Sequence, residues 1–170
     1  MSSFTLRIWD DESDKVTFYT VHLDEHLHSE MDKFLLKYGS DEQYKEYIQE
    51  LSKFLANSIG KNGALDMFFN RAEQKAYALP PKGKLEAFTL GFPLRLYCYR
   101  VSKDIVILFN GGVKTAQTAQ GSPDLNMKFI DAQHFVKCIE DAFRDNTIKI
   151  DKTGRTIIDS NSPSEEIILP

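Results

Sequence analysis

The sequence predicts an α+β fold in which helices pack on a twisted, mainly antiparallel sheet. The clearest signal is the segment 94–114, where two apolar-rich runs flank a polar turn at residues 102–104. In the first run, residues 94–101, side chains alternate in character with a period of two, which is typical of a strand with one buried and one exposed face. The second run, residues 105–109, is uniformly apolar, as expected for a strand covered on both faces.

Three helical patterns supply the packing layers. Ser29 is placed to N-cap a helix that ends at Tyr38, with Gly39 as its stop. Residues 41–58 carry apolar side chains every three or four positions, which indicates an amphipathic helix. A third helix is expected to begin at Ser122-Pro123, with serine as the cap and proline in the first turn, and to end near residue 144.

Weaker patterns fill in the rest of the chain. Residues 4–9 and 15–23 are strand-like, and the acidic residues 10–14 between them predict a hairpin turn. Residues 71–78 fit a turn of helix. Residues 84–90 read as a further strand, which would complete a three-stranded meander with the two runs above.

The domain organisation is predicted from the chain length and from segments rich in turn-forming residues. We expect one domain over residues 1–160, with the N-terminal hairpin and helix pair in 1–79 and the core sheet and helix in 80–145. A terminal hairpin is predicted from residues 148–150 and 156–158. The serine-, proline- and acid-rich residues 161–170 are expected to form a tail.

Composition excludes several classes. A hydrophobic content of 42% and no apolar run near the roughly 18 residues of a membrane span favour a cytoplasmic protein without membrane contact. Cys98 and Cys138 lack metal-site spacing and are expected to be reduced core residues. A metal site at His22, His26 and His28 is conceivable from their spacing, but ordinary solvated positions are favoured.

Charge is unevenly distributed along an acidic chain. The net charge is −4, which argues against a surface that coats nucleic acid but leaves room for a local patch. Residues 80–120 contain six basic residues and two acids, whereas residues 10–50 contain twelve acids and four lysines. The acidic arm could neutralise the basic sheet, form a partner-binding face, or simply be solvated.

Residues 84–136 resemble the RelE/HigB-like toxin superfamily of bacterial toxin–antitoxin systems. The similar features are L-R-L-Y at 94–97, I-V-I-L-F at 105–109, G-G-V-K-T at 111–115 and a Ser-Pro-led helix containing Ala132, with a helix pair before the sheet. The chain departs from the family in having Val113-Lys114 where adjacent lysines are usual and Asn126 where glutamate is expected. It is also longer and more acidic, with extra N- and C-terminal strands.

The resemblance implies a RelE-like fold and a metal-independent, cofactor-free endoribonuclease that acts on messenger RNA, typically on the ribosome. In that chemistry the RNA 2′-hydroxyl attacks the adjacent phosphorus, which needs a base, an acid and cations for the developing charge. The candidate catalytic residues are Arg95, Lys114 and Tyr97. The candidate phosphate-binding residues are Lys82, Lys84, Arg100 and Lys103.

Each candidate has a structural alternative. Arg95 could pair with a carboxylate such as Glu86, and Arg100 is expected on the opposite sheet face from Arg95. The glycines before Lys114 could bring backbone N–H groups to phosphate or simply form a turn. His134 fits a helix-surface position, so the sequence offers no clear general base.

The resemblance also implies a cognate antitoxin whose peptide covers the basic face. The alternative reading is a non-catalytic RelE-fold protein-binding module of phage or mobile-element origin, which would account for the acidic surface and the missing base. Homo-oligomer formation stays open at this stage.

Overall fold

The computed structural model describes residues 3–83, 88–89, 91–115, 121–162 and 166–170. They form an α+β fold with a mostly antiparallel sheet covered on both faces. The strands are β1 (Phe4–Asp10), β2 (Thr17–Leu23), β3 (Ala72–Glu73), β4 (Ala76–Leu79), β5 (Leu94–Ser102), β6 (Ile105–Val113), β7 (Ile148–Ile150), β8 (Ile157–Asp159) and β9 (Ile167–Leu169). The helices are α1 (Glu30–Gly39), α2 (Lys45–Lys53), α3 (Gly60–Asn62) and α4 (Pro123–Arg144), with a π-helical segment, Phe54–Ile59, joining α2 to α3.

Seven strands form the main sheet in the order β3-β4-β5-β6-β2-β1-β9, and β7 pairs with β8 in a separate hairpin. Strands β2 and β6 run parallel, and the other pairs in the described residues are antiparallel. Helices α1 and α2 cover one face of the sheet, while α4 and the β7–β8 hairpin cover the other. Strand β6 therefore lies at the centre of the molecule.

The strongest local signals are confirmed. β1 and β2 form the expected hairpin, and β5 and β6 form the central one. The Ser29 hydroxyl accepts a hydrogen bond from the Asp32 N–H at 3.2 Å, which is the capping predicted for α1. Helix α4 begins at Pro123, immediately after Ser122, as expected.

The prediction that β5 has one solvent-exposed face is wrong. Its alternation is as predicted, with Leu94, Leu96 and Cys98 packed on the α1–α2 side and Tyr97 on the α4 side. Because α4 lies over the second face, the middle of the strand is buried on both sides. The alternation showed which side chains share a face but not whether that face is covered.

The region before β5 is also corrected. Residues 71–78 do not form a turn of helix but the β3–β4 hairpin, and β4 pairs with β5. The turn is fixed from across the molecule, since Gln133 of α4 donates to the Glu73 carbonyl at 2.7 Å and accepts from the Lys75 N–H at 2.8 Å. The strand predicted at residues 84–90 falls mostly outside the described residues, and Phe88 and Thr89 are not in a strand.

The expected tail contains a strand. β9 pairs with the outer edge of β1, where Phe4 is opposite Leu169 and Leu6 is opposite Ile167. Ile167 and Leu169 are buried in the α4-side core. Part of the last ten residues therefore belongs to the sheet.

Adjacent isoleucines in β9 give a matched test of this contribution. Ile167 has none of its surface exposed and Ile168 has 68% exposed. We expect Ile167→Ala to lower the free energy of unfolding by about 2–4 kcal/mol, because it leaves a cavity in the core. Ile168→Ala should change it by less than about 0.5 kcal/mol. Urea denaturation of the two variants measures the difference, and equal midpoints would mean that β9 does not pack as described.

Candidate functional site

Two of the predicted catalytic cations, Arg95 and Lys114, lie at the same end of the β5–β6 hairpin. Arg95 is opposite Gly112 in the β5–β6 ladder. The Lys114 N–H donates to the Pro93 carbonyl at 2.7 Å, which holds the end of β6 beside the start of β5. The strand pairing therefore brings together two residues that are nineteen positions apart in the sequence.

A second arginine, not identified from the sequence, joins them. Arg71 precedes β3, and its carbonyl accepts from the Ala78 N–H at 2.9 Å. Ala78 is in turn opposite Tyr97 of β5, so Arg71 lies two strands from the residues that flank Arg95. Lys82 follows β4, and its N–H donates to the Asn70 side chain at 2.7 Å.

These four residues, Arg71, Lys82, Arg95 and Lys114, are called the basic cluster below. Burial and the charge of Arg71 lower the pKa of Arg95 to about 10. The pKa of Lys114 is also lowered, by burial and then by repulsion from Arg95 and Arg71, with a smaller contribution from Lys82. The cluster is therefore a local concentration of positive charges that repel one another.

Glu73 is the carboxylate that acts on this cluster. Its charge raises the pKa values of Arg71, Arg95 and Lys114, against the lowering effects of burial and repulsion. Within the described part of the chain, no ion pair joins a carboxylate to a member of the basic cluster. Glu86, the partner suggested for Arg95 from the sequence, lies outside the described residues.

Backbone carbonyls, rather than carboxylates, orient the arginines. Arg95 Nη1 donates to the carbonyls of Phe92 at 3.0 Å and Leu94 at 2.9 Å. Arg71 Nε donates to the carbonyl of Pro80 at 2.8 Å. A carbonyl fixes the direction of a guanidinium but carries no full charge. Among the described residues, the positive charge of both arginines is therefore offset by the longer-range charge of Glu73 and not by an ion pair.

Tyr97, a predicted catalytic residue, is not accessible to an RNA substrate. Only 1% of its surface is exposed, and its ring packs edge-to-face against Phe129 of α4 at 6.0 Å. Burial raises the pKa of its hydroxyl. Tyr99, on the same face, donates to Glu140 at 3.0 Å. The Tyr97 ring therefore offers no free face to an RNA base, and the Tyr99 hydroxyl is engaged by a carboxylate.

The predicted phosphate-binding residues do not form one site. Arg100 is on the opposite sheet face, where it forms an ion pair with Asp66 at 3.0 Å. Lys103 is exposed in the β5–β6 turn, at the far end of the hairpin from Arg95. Lys84 lies outside the described residues. Of the three that the structure describes, Lys82 is the one that lies with the cluster.

The two glycines before Lys114 belong to strand β6 and do not form a phosphate-binding loop. The Gly111 N–H is satisfied by the Asn110 side chain at 2.7 Å. The register of β6 shifts by one residue against β5 between Leu108 and Gly111, which is a β-bulge. The glycines therefore allow a close approach of strands rather than the binding of an anion.

The histidines have partners of other kinds. His22 Nε2 lies 2.6 Å from the His26 carbonyl, and His26 Nδ1 lies 2.9 Å from Lys33 Nζ. His134 Nε2 is 3.5 Å from Cys138 Sγ on the half-buried side of α4. No group of three or more histidine, cysteine or acidic side chains in the described residues is arranged to hold a metal ion.

Four cavities are lined by described residues, and none of these four includes a residue of the basic cluster. The largest, about 600 Å³, lies between the β1–β2 turn and helix α2. No helix in the described ranges is both long and apolar enough to cross a membrane.

Comparison with known proteins adds no relative. No family model matches the chain, and neither the curated proteins nor the solved structures contain a significant match.

Proposed function

We propose that this protein is a RelE/HigB-like toxin that binds messenger RNA through the basic cluster and cleaves it without a metal ion. Two features support the proposal. The helix pair α1–α2 precedes the β4–β5–β6 meander and α4 follows it, which is the element order that the resemblance implies. The basic cluster lies at the end of β5 and β6, where the L-R-L-Y and G-G-V-K-T motifs meet.

The observation that carries the proposal is the positive charge of the basic cluster, which no ion pair among the described residues compensates. Arg71 and Arg95 are half-buried, are held by carbonyls, and lower the pKa of Lys114. Such an arrangement costs free energy in the unbound protein, because like charges repel and each is partly desolvated. A phosphate removes both costs, and guanidinium groups can bind two of its oxygens at once.

The roles in cleavage follow from the charges. Arg71 and Arg95 stabilise the negative charge that develops on the phosphate. Lys114, whose pKa is lowered by burial and by the neighbouring arginines, donates the proton to the leaving 5′-oxygen. Glu73 is the group available to accept the 2′-hydroxyl proton, while Tyr97 is too buried to touch substrate. The proposed cognate antitoxin would cover this surface with an acidic segment.

Matched lysines at the two ends of the β5–β6 hairpin test the RNA site. We expect Lys114→Gln to weaken binding of a labelled single-stranded RNA about threefold to tenfold at low salt, because it removes one phosphate contact. The slope of log affinity against log salt should fall by about 0.7. Lys103→Gln makes the same charge change in the exposed turn and should leave affinity within about twofold. Binding that responds equally to both changes would contradict a localised site.

The second candidate is the non-catalytic RelE-fold protein-binding module. The burial of Tyr97 favours it, since a side chain suggested for catalysis is instead part of the core. Inducible expression in bacteria separates the two candidates. The toxin causes growth arrest with transcript cleavage, and both are lost in Arg95→Ala and Lys114→Ala. The binding module accumulates without harm.

A further inference from the structure

The cavity of about 600 Å³ is built from two elements that are irregular at the same place. The β1–β2 ladder shifts register between Ile8 and Asp10, so Trp9 sits at a bulge. On the other side, the wall is the π-helical segment that follows α2, which contributes Leu55 and Ala56. Bulges and π-helical turns are both frequent at functional sites.

The floor of this cavity is apolar and ordered. Phe18 and Leu55 are almost completely buried beneath it. The Trp9 ring packs edge-to-face on Phe18 at 6.3 Å, and its indole N–H donates to Asp32 at 3.2 Å. The indole is therefore held in one orientation beside the opening. Above this floor, Trp9 and Ala56 keep exposed apolar surface, and covering that surface with an apolar side chain is favourable.

The rim is acidic. Asp10, Glu12 and Asp14 line the opening with one cation, Lys61. Among the described residues, none of these three carboxylates takes part in an ion pair. The rim thus presents a net negative charge above an apolar floor.

The turn that carries this rim is fixed in place. Arg155, from the β7–β8 hairpin, donates to the carbonyls of Ser13 at 3.0 Å and Asp14 at 3.1 Å. The Lys15 N–H donates to the Gly60 carbonyl at 2.8 Å. The backbone that carries these carboxylates is therefore held in place before any ligand arrives.

The acidic rim does not neutralise the basic cluster. Thr17, just after the acidic turn, is opposite Ile105, whereas Arg95 is opposite Gly112 at the other end of β6. Seven residues of strand separate these positions by about 23 Å. At that separation the two charged regions are largely screened from each other at physiological salt. Neutralising the basic cluster is therefore not the role of the acidic turn.

We propose that this cavity binds a basic amphipathic peptide segment of a partner protein. An apolar side chain of the peptide packs against Trp9 and Ala56, above Phe18 and Leu55, and flanking lysine or arginine side chains lie on the acidic rim. Charge complementarity excludes a polyanion at this end of the molecule. A free polyamine could match the rim but has no bulky apolar group for the aromatic floor. The inference does not depend on the proposed RNA site.

Selection from a phage-displayed library of random dodecapeptides tests the proposal on the full-length protein. We expect the selected peptides to combine arginine or lysine with a central leucine or aromatic residue. Ala56→Phe fills the cavity. In calorimetry it should lower the affinity for a selected synthetic peptide at least about tenfold. Asn57→Phe, at the next exposed position outside the cavity, should change its affinity less than about twofold.

The rim is tested with adjacent acids. Glu12→Gln should lower the affinity for the peptide about threefold to fivefold. Asp11→Asn makes an equal charge change outside the cavity lining and should alter the affinity less than about twofold. The proposal is overturned if the selected peptides lack basic residues. It is also overturned if no selected peptide loses affinity for the Ala56→Phe variant. Binding of spermidine at the same site with affinity equal to the peptide would also overturn it, in favour of a free polyamine.

Discussion

Gly111→Ala is expected to prevent stable folding of the protein. A Cβ atom at position 111 would lie 1.8 Å from the Arg95 carbonyl oxygen and 2.9 Å from the Leu96 Cα. Both obstacles are backbone atoms of β5, so no side-chain rotation relieves the clash. The two central strands would have to separate where β6 carries its bulge. We expect a loss of about 4 kcal/mol or more, at the upper end for single substitutions.

The neighbouring glycine is the matched control. A Cβ atom at Gly112 would have its nearest contacts at 3.5 Å, from backbone atoms of Leu125, and at 3.6 Å, from the Tyr38 hydroxyl. These are ordinary van der Waals distances, so Gly112→Ala should fold with a Tm within a few degrees of the parent. Circular dichroism melts of the two variants decide the matter. A Gly111→Ala protein as stable as Gly112→Ala would show that β5 and β6 do not approach as described.

The elements that the sequence predicted well are those whose signals are local. The β5–β6 hairpin, α1 and α4 have alternation, caps or helical periodicity within their own residues. The β3–β4 hairpin was missed because its strands have only two and four residues. Its turn is held by Gln133, sixty positions away from Glu73, and β9 likewise depends on the exposed edge of β1. Such long-range contacts leave no periodic pattern in the sequence.

In the candidate site, too, some residues could be identified from the sequence and others depend on long-range contacts. Local basicity and the family motifs identified Arg95 and Lys114, and the β5–β6 pairing in the structure places them at the same end of the hairpin. Arg71 and Glu73 could not be predicted, because β4 pairing carries them to the cluster from a segment with a different expected structure. The prediction that Tyr97 is a catalytic residue was wrong for another reason. A period of two identifies its face, but only the tertiary packing of α4 shows that this face is buried.

Glu73→Gln is expected to separate RNA binding from RNA cleavage, if the protein is the toxin proposed above. Glutamine keeps the shape of the side chain but cannot accept the 2′-hydroxyl proton, and loss of a general base lowers rates by about 10²–10⁴-fold. The same change removes a carboxylate whose charge raises the pKa values of Arg71, Arg95 and Lys114. Affinity for single-stranded RNA should therefore rise, because the cluster becomes more positive. Single-turnover cleavage and fluorescence anisotropy measure the two effects.

Glu140→Gln provides the control for this separation. Glu140 accepts from Tyr99 and pairs with Lys75 at 3.5 Å, on the same sheet face but without an effect on the pKa values of the basic cluster. Both its RNA affinity and its cleavage rate should stay close to those of the parent. Cleavage retained in Glu73→Gln together with tighter binding would remove Glu73 as the base while leaving the phosphate site intact. Weaker binding in Glu73→Gln would instead argue that the carboxylate orders the arginines, and the charge argument for the RNA site would then fail with it.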